Sequence, residues 1–250
     1  MTYALRTKGL TRSFGAFKAN SDISLAFESG SRHAIIGPNC AGKTTFINLL
    51  TGVLAPSSGE VYLAEENVTG LAQYARVKRG MTRTFQINTL FPGLTVLESI
   101  VLACCERDGQ GNVWWHSASR AQPQIDEARS ILAQLRLDRD AAMESRNLPY
   151  GKQRLLEIAL ALATRPRVLL LDEPAAGIPS AESSELFGVI AALPREVSII
   201  FIEHDMNLVF KFAERITVLV GGSVLVEGSP QEIAGDSRVR EVYLGEAVHA

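Results

Sequence analysis

The chain has 250 residues, 46% apolar and 21% charged, a balance ordinary for a soluble α/β protein and long enough to bury a sizeable core. Its 25 basic and 27 acidic side chains leave a formal charge of −2, which argues against a basic field for nucleic acid or anionic lipid. Three cysteines (Cys40, Cys104, Cys105) lack metal-ligand spacing, no apolar stretch nears the roughly 18 residues that span a bilayer, and no signal core opens the chain. A cytosolic or peripheral protein is expected. In chain order, the first 65 residues read as strands with turns: Ser24–Phe27 alternates, Arg32–Ile36 is a short buried strand, and Thr45–Leu50 is helical, ending near Gly52. The stretch 55–60 reads as a loop before a strand at Val61–Leu63. From about 88 to 165 the pattern is helical, with an irregular part at 107–124. Continuous apolar runs return at Val168–Leu171 and Val197–Ile202, as in parallel strands covered on both faces. Ile216–Val220 and Val224–Val226 flank Gly221-Gly222, a hairpin signal.

Gly37-Pro38-Asn39-Cys40-Ala41-Gly42-Lys43-Thr44 fits the phosphate-loop pattern G-x-x-x-x-G-K-[ST], with a strand before it and a helix after it. In that setting the loop amides and the helix start, including Thr45, converge on anionic oxygens. Lys43 is placed to reach the β- and γ-phosphates of a nucleoside triphosphate, and the Thr44 hydroxyl to complete a Mg²⁺ shell. A glycine-rich turn is the competing reading.

Asp172 and Glu173 close the run Leu169-Leu170-Leu171, at the strand end where open α/β sheets bind ligands. Asp172 is expected to hold Mg²⁺ through water, and Glu173 to polarise the attacking water; a helix cap or turn is the alternative. Gln86 follows Met81–Phe85 and can ligate the metal through its amide oxygen, or simply be solvated. His204, after Phe201-Ile202-Glu203, can hydrogen-bond a γ-phosphate and sense its presence, against an ordinary surface histidine.

These segments, with Leu148-Pro149-Tyr150-Gly151-Lys152-Gln153-Arg154 and Glu203-His204-Asp205, occur in the order of the ABC ATPases, which the chain resembles over most of residues 5 to 230. The resemblance implies a P-loop NTPase of α/β class: one nucleotide-binding domain over 1–250, with an N-terminal antiparallel β portion and a helical subdomain at about 88–165. It places Phe14 where an aromatic stacks on adenine, a buried core aromatic being the alternative. It also places Tyr150, Gly151 and Gln153 at a signature helix that serves the ATP of a second ATPase subunit. Arg83-Thr84-Phe85-Gln86, Leu90–Val96, Asp172–Gly177 and Val242–Ala247 resemble the ATPases of branched-chain amino-acid importers more narrowly; the lipopolysaccharide-export ATPase shares the C-terminal wording. Implied partners are a second ATPase subunit, two transmembrane permeases docking near Gln86 and Leu90-Phe91-Pro92, and indirectly a periplasmic solute-binding protein. The implied location is peripheral, on the cytoplasmic face of the bacterial inner membrane.

Three residues depart from the family pattern. Cys40 stands where glycine is usual, Pro149 where the signature has serine, and Pro179 where Asp or Asn crosses the dimer interface. Pro149 lacks both hydroxyl and backbone N–H. The expectation is an asymmetric pair of different ATPase chains, with a catalytically weak or regulatory subunit as the rival. A GTPase is disfavoured because N-K-x-D is missing. A tandem soluble ABC ATPase is disfavoured by the single set of motifs and the absence of a basic surface. Trp114-Trp115 either packs locally or meets a partner or membrane surface.

Overall fold

The computed structural model describes residues 2–84, 91, 93–110 and 121–246. Gln86, Phe85, Leu90, Pro92 and Trp114-Trp115 lie outside the described residues. The described chain divides into two units: one runs to Met81 and adds Arg167–Pro174 and everything from Pro194, the other comprises Thr82–Pro166 and Ala175–Leu193.

The first unit opens with β1 (Tyr3–Phe14), β2 (Phe17–Ile23), β3 (Ala26–Glu28) and β4 (Arg32–Ile36). Then come α1 (Lys43–Thr51), β5 (Ser58–Leu63), β6 (Glu66–Asn67) and α2 (Gln73–Lys78); β7 (Met81–Arg83) starts on the last residue of this stretch and continues in the second unit. β1 is the spine of an antiparallel sheet, pairing with β2, β3 and β5, while β6 pairs with β5. β5 begins three residues before the Val61 start expected from sequence. Lys8 and Thr11 of β1 pair with Glu60 and Ser58, so the partner strand extends what local composition reads as loop. Gly59, at φ +88°, permits this because a side chain there would strike the Gly9 carbonyl.

Later come α3 (Val96–Arg107), α4 (Gln122–Gln134), α5 (Tyr150–Leu162), β8 (Val168–Asp172), α6 (Ser180–Ala191) and β9 (Ser198–Ile202). The chain continues through α7 (Met206–Phe212), β10 (Arg215–Val220), β11 (Ser223–Gly228), α8 (Pro230–Gly235) and α9 (Ser237–Glu246). In the first unit a second sheet runs β11-β10-β4-β9-β8, parallel except for the antiparallel β10–β11 hairpin. Every residue of β4 and β9 is buried, which is why these strands read as unbroken runs rather than alternations. Polar members of β4 make local hydrogen bonds. His33 Nε2 lies 2.7 Å from Thr217 Oγ1 and its ring meets Phe27 edge-on; Arg32 donates to the Val197 carbonyl at 2.8 Å. Burial pushes the His33 imidazole down to about 3.

α1 packs Phe46, Ile47, Leu49 and Leu50 into the core between the sheets. Its C-terminus is held by Arg76, a fully buried arginine of α2. The guanidinium donates to the carbonyls of Leu49, Leu50, Thr69 and Leu71, and desolvation lowers its pKa to about 10. A cation here also opposes the negative end of the helix dipole.

In the second unit, α3 opens with a Thr95–Glu98 capping box. Arg107 at its end forms a bidentate pair with Glu127 of α4, at 2.7 and 2.8 Å, and donates to the Ala163 carbonyl at 2.6 Å just after α5. Leu156, Ile158, Ala159 and Leu162 of α5 are buried, and Leu155 is half-buried.

Two stability predictions follow from these buried groups. Arg76→Met leaves several buried carbonyls without donors and is expected to cost about 3–5 kcal/mol in urea unfolding. His33 is neutral when folded, so the unfolded chain takes up the extra proton below about pH 6.5, and stability falls as pH drops from there toward 3. Between pH 6.5 and 5 that loss is about 2 kcal/mol, and a non-titrating His33→Asn variant lacks it when unfolding is followed at both pH values.

Candidate functional site

The phosphate-loop residues leave the carboxyl end of β4 and enter α1. Gly37 has φ +154° and its missing side chain makes room for the Leu219 carbonyl; Gly42, the N-cap of α1 at φ +93°, does the same for the Ala19 carbonyl. The loop is gripped from both sides within the first unit. Asn20, fully buried on β2, donates to the Gly42 carbonyl at 3.2 Å. Gly222, in the β10–β11 turn, donates to Ala41 at 3.1 Å and accepts from Ser21 at 2.8 Å. No acidic side chain stands in the first turn of α1, so its N-terminal amides face the loop with their dipole unopposed. Lys43 Nζ donates to the carbonyls of Gly37 and Pro38, at 2.6 and 2.9 Å, which holds the ammonium along the loop.

Cys40 has φ +63°. This left-handed conformation costs a non-glycine residue roughly 1–2 kcal/mol, and it gives the physical reason for a glycine preference at this spot. The thiol is free and exposed.

A cavity of about 330 Å³ opens over the loop, lined among others by Asn39, Cys40, Lys43, Thr44, Thr45, Glu173 and His204. β8 and β9 deliver the last two. Asp172 ends β8 paired with Ile202, and the Glu173 amide extends the ladder by donating to the Ile202 carbonyl at 3.0 Å. β9 stops at Ile202, where the apolar run Val197–Ile202 ends. Glu203 is buried and accepts from the His204 amide at 3.1 Å, and Asp205 caps α7 through the Asn207 amide. His204 Nε2 and Glu173 Oε1 meet at 2.6 Å with both side chains half-exposed. Glu173 itself sits at φ +49°, a second non-glycine residue in the left-handed region at this edge.

Not every candidate joins the cavity. Asp172 is half-buried at the strand end but is not among the residues lining it. Phe14 is exposed at the end of β1, with the Arg12 guanidinium 4.6 Å above its ring, while its hairpin partner Phe17 lines the cavity instead. Nothing in the sequence marks Phe17 and Ala19 beyond their place just after the Gly15 turn, before Asn20. Tyr150, Gly151 and Gln153 lie in the second unit, at the first turn of α5, where Gln153 Nε2 donates to the Leu148 carbonyl at 2.8 Å. Pro149 is the N-cap of α5 and Pro179 the N-cap of α6, and neither helix has a side-chain cap.

Residues 20–176 match the family described as ABC transporter, and the phosphate loop, the β8 acids and the α5 start all fall inside that span. The chain belongs to the ABC transporter ATP-binding family. The part of this ABC ATPase from residue 223 to 249 also matches the branched-chain amino acid ATP-binding cassette transporter family. It is similar to LivG of Salmonella typhimurium, a high-affinity branched-chain amino acid transport ATP-binding protein, with 39% identity over 97% of this chain and 98% of that one. BraF of Pseudomonas aeruginosa, with the same description, is 37% identical over the same shares. Among solved structures, the ADP conformation of MJ1267, an ATP-binding cassette of an ABC transporter, superposes with a TM-score of 0.85 at 28% identity, covering 98% of this chain and all of that one.

Two substitutions in the ABC ATPase loop separate strain from close approach. Cys40→Gly is expected to raise stability by about 0.5–1 kcal/mol in urea unfolding, the relief of the left-handed residue offset by added unfolded-state freedom. Gly42→Ala drives a methyl into the Ala19 carbonyl and is expected to abolish binding of a fluorescent ATP analogue.

Proposed function

We propose that this chain is the ATP-binding and ATP-hydrolysing subunit of an ABC importer that takes up branched-chain amino acids or a related small polar solute. The observation that carries the proposal is one cavity that brings Lys43 and Thr44 of the phosphate loop together with the hydrogen-bonded Glu173–His204 pair. The similarity to LivG and BraF, and the C-terminal match, support the solute class and favour an importer over a lipopolysaccharide exporter. In this reading the whole chain is one nucleotide-binding domain with its helical part at about 88–165.

Each residue then has a physical task. The amides of Gly37–Thr45 and the Lys43 ammonium take the β- and γ-phosphates, exchanging the loop carbonyls now bound to Lys43 for phosphate oxygens. The Phe14–Phe17 hairpin presents aromatic faces for adenine, Phe17 from the cavity wall. Thr44, Asp172 and Gln86 supply hard oxygen donors, a set that suits Mg²⁺ because this ion needs only one or two protein oxygens beside phosphates and water. Mg²⁺, when bound, neutralises phosphate charge. Glu173 accepts a proton from, or orients, the attacking water, and His204 holds Glu173 and reads the γ-phosphate.

Tyr150, Gly151 and Gln153 serve the nucleotide of a second ATPase subunit. The cassette MJ0796, 25% identical with a TM-score of 0.73, is described as dimeric. Two permeases dock near Phe91, and Met143 adds exposed apolar surface in the same unit. No helix among the described residues is long and apolar enough to cross a membrane. The similarity to LivG and BraF supports a peripheral subunit on the cytoplasmic face, with a periplasmic binding protein as an indirect partner. The prolines at the N-caps of α5 and α6 favour a pair of different ATPase chains, and they also support a second reading, a catalytically weak subunit within such a pair.

Mg-ATP hydrolysis by the chain, with and without the second ATPase, tests the proposal. Glu173→Gln is expected to cut turnover at least about 100-fold while ATP binding persists. Turnover that survives the substitution overturns the assignment of Glu173; binding without turnover, even with the partner and permeases present, selects the weak-subunit reading.

A further inference from the structure

Arg154 of α5 is held at both ends. Its Nη1 donates to Glu157 Oε2 at 3.0 Å, and its Nη2 donates to the Tyr150 hydroxyl at 3.0 Å, with the guanidinium 5.3 Å from the centre of the Tyr150 ring. Spacings of four and three residues bring all three side chains to one face of the helix. The Arg154–Glu157 pair is nearly closed to solvent, with side chains 13% and 4% exposed, while Tyr150 is exposed at the helix start. Tyr150 also rests on the loop after β8: its phenol oxygen lies 3.4 Å from where a Cβ on Gly177 would stand, an ordinary packing distance.

The pair is an expensive way to fill that space. Glu157 Oε1 and Arg154 Nε are buried without hydrogen-bond partners, and burial pushes the Glu157 carboxyl up. An apolar pair of similar volume would cost the fold less, so an arginine stretched between a buried acid and a surface phenol points to a task at the phenol.

We propose that Arg154 is a positioning residue for the N-terminus of α5: anchored by Glu157, it fixes Tyr150 against the Gly177 loop, so that the helix start meets its ligand already ordered. This rests on the reading that the α5 start serves the ATP of a second ATPase subunit. Neither Arg154 nor Glu157 touches nucleotide in this scheme.

The test is a double-mutant cycle of Arg154→Met and Tyr150→Phe in the transporter complex purified through a tag on this chain, reading kcat and KM for Mg-ATP. Each single change is expected to lower kcat about 10-fold with KM within about twofold, and the double variant to be no slower than either. The affinity of the isolated Arg154→Met chain for a fluorescent ATP analogue is expected to stay unchanged. Effects on kcat that multiply, or an unchanged kcat in either single variant, overturn the proposal, because a merely structural arginine would lower the melting temperature without coupling to the phenol oxygen. Should Arg154→Met not fold, Arg154→Lys takes its place in the cycle: effects on kcat that do not multiply with Tyr150→Phe support the proposal, and effects that multiply overturn it. Gly151→Asp separates the two layers. If it abolishes turnover while Arg154→Met does not, only the positioning role falls; if it too leaves turnover intact, the signature-helix reading falls with it.

Discussion

The parallel pairing of β8 with β9, carried one residue past Asp172↔Ile202 by the Glu173 amide, is the interaction on which the site depends. It fixes the backbone of an acid and of a histidine from two different strands at one sheet edge, so their side chains meet at 2.6 Å although both are half-exposed. β4 pairs with β9 in turn, Ile35 opposite Ile202, which brings the phosphate loop to the same edge. Three buried strands thus set the relative height of Lys43, Glu173 and His204 before any ligand contact. A polar residue in the middle of these strands would act at the edge through register, since a one-residue slip turns every side chain to the other face.

The edge also concentrates unfavourable backbone. Gly37 and Gly42 take conformations in which a side chain would strike a neighbouring carbonyl, and Cys40 and Glu173 take left-handed conformations without being glycine. Such strain persists only where the surroundings over-determine it. Here the surroundings are identifiable: Asn20 and Gly222 grip the loop, and the Ile202 carbonyl holds Glu173. At the far end of α1, Arg76 ties off the last turn, so the helix carrying Lys43 is constrained at both ends.

Much of this is legible in the chain, for reasons that differ by residue. β4, β8 and β9 are legible because burial on both faces demands unbroken apolar runs, and the phosphate loop because its glycines answer a local need. The β10–β11 hairpin announces itself through Gly221-Gly222. What is not legible depends on contacts distant in sequence. Ser58 and Glu60 become strand because β1 lies beside them, Phe17 faces the cavity because the hairpin turn at Gly15 aims it there, and nothing near Arg76 signals that four carbonyls will surround it. Glu157 reads as an ordinary helix charge until the structure buries it.

The two prolines show how a chemical change can be confined to one function. Pro149 and Pro179 have φ −54° and −58° with ψ 149° and 145°, the extended geometry that an N-cap requires, so proline preserves the entry into α5 and α6. What proline deletes is the side-chain oxygen and the backbone N–H. The helix dipole of α5 remains, no acidic residue opposes it in the first turn, and the next amides carry no side-chain cap of their own. The dipole of that helix end is therefore retained while one hydrogen-bond donor is lost, and the Glu182 carboxylate of α6, beside Gly151, offsets part of its attraction for an anion. In an assembly where this helix serves the partner's nucleotide, the weakening falls on the partner's site and leaves this chain's own phosphate loop whole. For this fold the cost is the missing cap of α5, about 1 kcal/mol, with the entry geometry of the helix kept.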